Sequence, residues 1–217
     1  MKRDTRIVAS LGRGALSDLA AARQADLLEL RLDLMEDDPL SILEAVKKVV
    51  KVPIIATVRW QAEGGQFKGS EGERLELLIR ASAFADYIDV ELRCGLLGKL
   101  LKTVERPIIA SYHNFSRTPA LEELRAILGE MKNTGAEIAK IAATPLRLQD
   151  NLEILQLLLE ADMPLCVIAM GRLGRHLRAV APLYGSVLTY GYVSQPTAPG
   201  QMSVSQLKQA FELLAGE

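Results

Sequence analysis

Short apolar runs recur along the chain, and longer segments of mixed polarity separate them. Most of the runs are rich in Ile, Val, Leu and Ala and lack a strict alternation of apolar and polar residues. That composition is typical of parallel strands that are buried on both faces. The pattern therefore predicts eight strands, at residues 7–11, 27–32, 53–58, 87–92, 107–112, 137–142, 164–169 and 187–190.

The segments between the runs have the periodicity of amphipathic helices. In one of them the apolar residues form a single helical stripe, made of Leu121, Leu124, Ile127, Leu128 and Met131. Eight strand–helix repeats predict an α/β fold, a (β/α)8 TIM barrel that occupies residues 1–217 as a single domain. The alternative is an open doubly wound sheet, but no Gly-x-Gly-x-x-Gly turn follows the first predicted strand.

Ionisable residues stand near the C-terminal ends of the predicted strands, which is the end of a barrel that carries the chemistry. A packed core does not tolerate such groups without partners, and a purely structural role would scatter them between both ends. They are Glu29, Arg31, Arg59, Asp89, Glu91, Arg93, His113, Lys140 and Arg178.

Lys140 suggests a reaction. Its neighbours Ile138, Ala139, Ile141 and Ala142 are apolar, and we expect such surroundings to favour the neutral amine. A neutral amine attacks a carbonyl to form an imine, and the protonated imine makes a proton on the adjacent carbon acidic. His113, on the neighbouring predicted strand, is the candidate base for that proton. The arginines suggest an anionic substrate such as a carboxylate.

Composition and charge argue against several other classes of protein. Of 217 residues, 49% are hydrophobic and 24% are charged, and the formal net charge of −1 does not favour a nucleic-acid partner. The apolar runs all fall short of the ~20 residues that span a bilayer, so no membrane association is expected. Cys94 and Cys166 lack a zinc-type spacing, which indicates no metal site and a reducing compartment. The N-terminus shows no signal-peptide pattern, so we expect a cytoplasmic protein.

A set of short motifs, in this order along residues 7–214, resembles the type I 3-dehydroquinate dehydratases. Each tripeptide is weak evidence alone, but the ordered set, which includes the histidine and lysine segments, is highly specific. The motifs are Glu29-Leu30-Arg31-Leu32-Asp33, Thr57-Val58-Arg59, Glu63-Gly64-Gly65, Ser111-Tyr112-His113-Asn114-Phe115, Lys140-Ile141-Ala142, Met170-Gly171 with Gly174 and Arg178, Gly185-Ser186, and Ala198-Pro199-Gly200-Gln201.

The resemblance implies a lyase that needs no cofactor and no metal. Such an enzyme dehydrates 3-dehydroquinate to 3-dehydroshikimate in the shikimate pathway of aromatic amino acid biosynthesis, as a homodimer. Lys140 would form the imine, His113 would act as general base and then as general acid, and Glu63 would orient His113. The implied substrate-binding residues are Glu29, Arg31 and Arg59 in the pocket, Arg178 at the carboxylate, and Thr197 and Gln201 in a closing loop after the eighth strand.

Two other functions remain as alternatives. A class I Schiff-base aldolase of the same barrel fold would also use an imine-forming lysine, but it predicts a phosphate site of Gly-rich backbone after strands 7 and 8. This chain instead has Arg178, Thr197 and Gln201 in that region. A barrel that only binds a carboxylic acid would need the arginines but would have no use for a lysine beside a histidine.

Five residues near the predicted site are interpreted as structural: Asp33 and Glu91 hold arginines, Tyr190 and Met170 pack at the barrel mouth, and His176 lies on the surface. Many relatives have an N-terminal hairpin that covers the bottom of the barrel. Too few residues precede the first predicted strand for one, so we expect a less covered barrel bottom. The chain ends soon after the last predicted helix, so we expect no appended shikimate dehydrogenase domain.

Overall fold

The computed structural model describes residues 5–215, with side chains from 5 to 214. The strands in that range are β1 Arg6–Leu11, β2 Leu27–Arg31, β3 Ile54–Thr57, β4 Tyr87–Glu91, β5 Ile108–Asn114, β6 Ile138–Ala143, β7 Leu165–Ala169, β8 Leu188–Tyr192 and β9 Met202–Ser203. They form one curled sheet in the order β7-β6-β5-β4-β3-β2-β1-β8-β9. Each pair of neighbours in that order is parallel.

The eight predicted strands are all present, and their bounds lie within two residues of the prediction. Three strands that were predicted to begin at a proline begin one residue later. Their predicted first residues are Pro53, Pro107 and Pro164. A proline has no N–H to donate into the ladder, so each strand begins at the next residue. The proline carbonyls still take part, as Leu28 N donates to Pro53 O at 3.0 Å. Strand β9 was not predicted, because two residues carry no periodic signal.

Helices follow the strands and cover the outside of the sheet. They are α1 Ala15–Ala22, α2 Pro39–Val49, α3 Glu71–Ala81, α4 Leu97–Thr103, α5 Leu121–Thr134, α6 Leu148–Glu160, α7 Gly171–Gly174, α8 Leu177–Val180 and α9 Val204–Ala215. Ser70 and Glu73 form a capping box that begins α3. The left-handed Gly135, with φ of 82°, ends α5. Among the described residues, no helix has the length and apolar character to cross a membrane.

The two ends of the eight-stranded sheet, β7 and β8, meet and close the barrel. Val187 N donates to Leu165 O at 2.9 Å where the two strands begin. Further along, the side chain of Ser186 bridges β7 and β8 in place of a backbone hydrogen bond. Its Oγ accepts from Val167 N at 3.2 Å and donates to Leu188 O at 2.9 Å. The predicted (β/α)8 barrel is confirmed, and β9 extends it beside β8.

The barrel interior is apolar where the strands begin and charged where they end. Side chains on a strand alternate between faces, so inward-facing residues recur at every second position. On five strands a buried apolar residue is followed two positions later by a buried polar one: Val8 by Ser10, Leu27 by Glu29, Ile55 by Thr57, Ile109 by Ser111, and Ile138 by Lys140. A second apolar core lies between the sheet and the helices. Packing in both cores holds the strands in place and thereby positions these polar residues at the C-terminal rim of the barrel.

Two side chains contact each other at the bottom of the barrel. Arg6 on β1 and Tyr87 on β4 cross it, with the guanidinium carbon of Arg6 5.7 Å from the centroid of the Tyr87 ring. A cation over an aromatic face contributes roughly 0.5–1 kcal/mol at exposed sites. Leu27 and Ile55, inside, are buried. The expectation of a less covered bottom stays a prediction.

Candidate active site

A cavity of about 180 Å³ opens at the C-terminal end of the barrel. Its walls come from the ends of the strands, the turn after β3 and the loop after β8. Residues that are far apart in the sequence therefore meet at one place. The nine predicted site residues all line this cavity: Glu29, Arg31, Arg59, Glu63, His113, Lys140, Arg178, Thr197 and Gln201.

The amine of Lys140 lies between two carboxylates and an aromatic ring. Its Nζ is 2.9 Å from Asp89 Oδ2 and 3.4 Å from Glu29 Oε1, and it lies 4.2 Å from the centroid of the Tyr190 ring. Only 3% of Lys140 is exposed. The expectation of apolar surroundings is therefore wrong for the amine. Ile141 is a neighbour in the chain, but its side chain faces the opposite side of the sheet and packs in the outer core.

His113 and Glu63 form a buried pair. Glu63 Oε2 lies 2.8 Å from His113 Nδ1 and also accepts from the backbone N–H of His113 at 2.8 Å. Burial raises the pKa of Glu63 to about 7, and the nearby Glu91 adds to the shift. Burial, with the charges of Arg59 and Lys140, holds the pKa of His113 well below its usual value. The contact with Glu63 occupies Nδ1, so Nε2 is the ring nitrogen available to a substrate.

The turn that carries Glu63 depends on a glycine. Residues Gln61–Glu63 form a short 3-10 helix, which Gly64 ends in the left-handed conformation with φ of 82°. A Cβ on Gly64 would lie 2.6 Å from the ring of Phe115. That ring stacks against His113, with centroids 6.5 Å apart and planes at 19°. Gly64 therefore allows Glu63 and Phe115 to approach His113 from two sides.

Two arginines of the cavity wall are held by carboxylates. Arg31 makes a forked contact with Asp33, with its Nε and Nη2 donating to the two oxygens at 2.8 and 2.7 Å. Arg59 contacts Asp89 at 2.9 Å and Glu91 at 2.7 Å. Burial opposes the charge of Arg59, but these carboxylates raise its pKa far above the usual range. Asp33 and Glu91 hold arginines in place, as interpreted from the sequence.

Arg178 is a buried cation without a carboxylate partner among residues 5–214. It is 2% exposed, and its guanidinium donates to the carbonyl oxygens of Tyr190 at 3.2 Å, Pro199 at 3.3 Å and Gly200 at 3.2 Å. Burial lowers its pKa to about 10, so the side chain stays charged at neutral pH. A buried positive charge that contacts only carbonyl groups favours an anionic ligand.

The loop after β8 lies over the cavity and is fastened there. Thr197 Oγ1 donates to Ser10 Oγ at 2.9 Å, and Thr197 N donates to Gln201 Oε1 at 2.8 Å. Gly200 has φ of 70°, and a Cβ there would lie 2.3 Å from Gly171 O. The loop can therefore pack this closely only with glycine at position 200.

Several residues of the cavity were not predicted as site residues. Asp89 contacts the Lys140 amine directly, while Ser10, Phe115, Met170 and Tyr190 line the wall. The signal for Asp89 was present, because Asp89 and Glu91 lie two residues apart and so face the same side of β4. Met170 and Tyr190 lie at the barrel mouth, and His176 is exposed, as interpreted. In the described part of the chain, no group of three His, Cys, Asp or Glu side chains is placed to hold a metal ion.

The fold and the cavity together define a (β/α)8-barrel enzyme whose buried lysine, histidine–glutamate pair and free arginine converge at the C-terminal ends of the strands. The chain belongs to the type I 3-dehydroquinase family, whose sequence model matches residues 7–217. The expectations of a hydro-lyase and of 3-dehydroquinate dehydration as its reaction are thereby confirmed.

Named relatives agree in sequence and in structure. A 3-dehydroquinate dehydratase of Methanothrix thermoacetophila is 49% identical over 210 residues, which cover 96% of this chain and 91% of the relative. The crystal structure of 3-dehydroquinate dehydratase from Geobacillus kaustophilus is 29% identical, with a TM-score of 0.90, over 97% of this chain and 91% of that one. The type I enzyme from Clostridium difficile, solved with covalent modified comenic acid, is 27% identical with a TM-score of 0.89, over 97% and 92%.

Proposed function

We propose that this site dehydrates 3-dehydroquinate to 3-dehydroshikimate through an imine on Lys140. The observation that carries the proposal is the convergence of a lysine amine, a histidine–glutamate pair and an unpaired buried arginine on one cavity. Lys140 loses one proton, attacks the ketone carbon, and the former carbonyl oxygen leaves as water. The protonated imine then draws electrons from the adjacent carbon, whose proton becomes acidic.

His113 removes that proton and returns it to the departing hydroxyl, which leaves as water. Register supports this role, because Ser111 pairs with Lys140 and His113 lies two residues further along β5. Two residues of strand span roughly 6–7 Å, a distance that a substrate ring bridges. Glu63 orients the ring through Nδ1. Hydrolysis of the imine releases the product and restores Lys140, so the net reaction is the loss of one water.

The remaining residues bind and enclose the substrate. Arg178 offers its buried charge to the carboxylate, and Glu29, Arg31 and Arg59 contact the ring hydroxyls. Thr197 and Gln201 close the loop above the substrate. Closure matters because water competes for the imine. The proposed chemistry uses no cofactor and no metal.

Substitution of Lys140 tests the imine. We expect Lys140→Met to lower the dehydration rate by more than about 1,000-fold, because the covalent step has no other nucleophile. Lys48→Met is the matched control, since Lys48 is exposed and pairs with Glu44 on the same helix. Steady-state dehydration of 3-dehydroquinate is the measurement. A rate for Lys140→Met close to that of the control would exclude the imine. Cleavage of a sugar phosphate by the wild-type protein would favour the aldolase alternative.

We also propose that the chain acts as a single domain and forms a homodimer in the cytoplasm. Support for the dimer comes from α6 and the residues before it, where Leu146, Leu148, Leu152 and Leu159 are each more than half exposed. Such a stripe is unusual on a monomer. Sedimentation of Leu152→Lys should show a monomer where the wild-type protein shows a dimer. Free Cys94 and Cys166 support a reducing compartment, which cell fractionation checks. A nucleic-acid partner remains unexpected.

A further inference from the structure

A chain of buried ion pairs joins the outer helix α3 to the amine of Lys140. The contacts run from Arg74 to Glu91 at 2.7 Å, from Glu91 to Arg59 at 2.7 Å, from Arg59 to Asp89 at 2.9 Å, and from Asp89 to Lys140 at 2.9 Å. All five side chains are at most 4% exposed. The charges alternate in sign at each step. A residue outside the barrel is therefore linked to the reacting nitrogen inside it.

Arg74 is a charged residue on the face of α3 that packs against the sheet, where apolar residues are usual. It is 1% exposed, and the other buried residues of α3 are Leu78 and Ala81. Its Nη1 also donates to Val58 O at 2.8 Å, and the rest of its guanidinium forks onto Glu71, whose side chain is 43% exposed. A buried ion pair is often no more stabilising than apolar residues of similar size. Fold stability alone gives no reason for a charge at this position.

The two carboxylates beside Lys140 differ in their surroundings. Asp89 uses Oδ1 for Arg59 and for the hydroxyl of Ser111, and it uses Oδ2 for Lys140. Burial favours its neutral form, but Arg59 and Lys140 hold the pKa of Asp89 well below its usual range. Glu29 instead accepts from the neutral hydroxyls of Ser10 at 2.5 Å and Thr57 at 3.1 Å. The contact with Arg59 therefore keeps Asp89 as an anion, whereas Glu29 accepts hydrogen bonds from hydroxyl groups.

We propose that Asp89 is the permanent counter-ion of Lys140, and that Arg74 positions it from outside the barrel through Glu91 and Arg59. This proposal rests on the proposed function. The ammonium and the protonated imine each carry one positive charge on the same nitrogen, since the proton lost before attack leaves with the water. One fixed carboxylate therefore stabilises both. Asp89 contacts the reacting nitrogen and is catalytic, whereas Arg74 is a positioning residue.

Charged and titratable groups lie near Lys140 on several strands. They are Glu29 from β2, Asp89 from β4, His113 from β5, Cys166 from β7 and Tyr190 from β8, with Arg59 behind Asp89. Each test variant changes one residue and keeps all the other groups. Two readouts separate the counter-ion from a structural role. They are the separate values of kcat and KM, and the rate at which 3-dehydroquinate with borohydride modifies Lys140.

For Asp89→Asn we expect kcat to fall about 100-fold or more, as for the loss of a preorganised charge partner in other sites. KM should stay within about 3-fold, because Arg178 still binds the carboxylate. Modification of Lys140 should slow in parallel with kcat, since borohydride reduces the protonated imine. A kcat within about 3-fold of wild type would overturn the assignment of Asp89.

For Arg74→Gln we expect kcat to fall about 10-fold with KM unchanged, because small displacements of a catalytic group are costly. Arg74→Lys keeps the charge on Glu91 and should recover most of that loss. Arg80→Gln is the matched control, since Arg80 lies exposed on the same helix. Equal kcat values for Arg74→Gln and Arg80→Gln would overturn the role of Arg74. A kcat for Arg74→Lys as low as that for Arg74→Gln would overturn it as well.

The design separates this proposal from the proposed function. If the wild-type protein forms no adduct and no product, the proposed function itself is wrong. If the wild-type protein forms both and the variants behave like the control, only the counter-ion chain is wrong. The Arg74 variants also protect the test against an Asp89→Asn protein that does not fold, because Arg74 lies outside the barrel interior.

Discussion

On β5, Ile109 and Ser111 face the same barrel interior two residues apart, yet they belong to different environments. Ile109 packs in an inner apolar cluster with residues such as Ile55 and Ile138. Ser111 donates to Asp89 at 2.7 Å and accepts from Arg59 at 2.8 Å. We call the apolar cluster around Ile109 the lower level of the barrel interior, and the polar residues around Ser111 the upper level. The lower level is stabilised by the burial of apolar surface, which requires no particular orientation. Each polar group of the upper level needs a specific hydrogen-bond or ion-pair partner. One set of strands thus provides a rigid base and a reactive rim.

The largest effect on stability should come from the lower level. We expect Ile109→Ala to reduce the free energy of unfolding by about 2–5 kcal/mol, because it leaves a cavity in a closely packed core. The dehydration rate per folded molecule should stay within about 3-fold, since the rim keeps its partners. Denaturant unfolding and steady-state kinetics on one preparation measure both. A large loss of kcat without a loss of stability would contradict the division between the two levels.

At the rim, Arg178→Gln should raise the KM for 3-dehydroquinate by about 10–100-fold, because a charge-assisted hydrogen bond contributes about 1.5–3 kcal/mol. The value of kcat should fall less, since the Lys140 and His113 contacts are unchanged. Arg172→Gln is the matched control, as Arg172 is exposed on the neighbouring helix α7. An unchanged KM would show that the substrate carboxylate binds elsewhere.

A smaller effect concerns the pH dependence of stability. Glu63 has a pKa raised from 4.5 to about 7 in the fold, so the folded state binds its proton more tightly than the unfolded state does. The stability from this group is complete below pH 4.5 and is lost as pH rises through about 7. Glu63→Gln removes that loss, and relative to wild type its free energy of unfolding should rise across this window by roughly 1–3 kcal/mol.

His113 is present in both proteins, and its lowered pKa acts in the opposite direction. Because Glu63 contacts His113 directly, the difference between variant and wild type reports the titration of the Glu63–His113 pair. Urea unfolding at several pH values from 4 to 8 provides the measurement. A difference that stays constant across the window would mean that Glu63 is not buried as described.

Local patterns in the sequence were sufficient to predict the barrel and the position of the site. The strands were found because residues such as Val8, Ile55 and Ile109 lie in apolar runs, and parallel strands buried on both faces need such runs. The reactive end followed from the ionisable residues that stand near the C-terminal ends of these runs. Lys140 and His113 were recognisable because each is an ionisable residue near the C-terminal end of a predicted apolar strand.

Contacts across the barrel could not be predicted in the same way. The apolar neighbours of Lys140 in the sequence say nothing about Asp89, which lies on another strand and supplies the actual surroundings of the amine. Arg74 has an ordinary place in a polar helix sequence, and only the packing of α3 shows that it reaches Glu91. The Arg6–Tyr87 contact also depends on β1 and β4, which do not pair, facing each other across the barrel. Such pairings are set by tertiary structure and leave no periodic signal.

The proposed mechanism requires an imine between Lys140 and 3-dehydroquinate. The most direct test is to incubate the protein with 3-dehydroquinate and borohydride and to locate the added mass by peptide mass spectrometry. We expect a reduced adduct on Lys140 alone, and product when borohydride is omitted. Product without an adduct, or an adduct on another lysine, would exclude an imine on Lys140 as the intermediate.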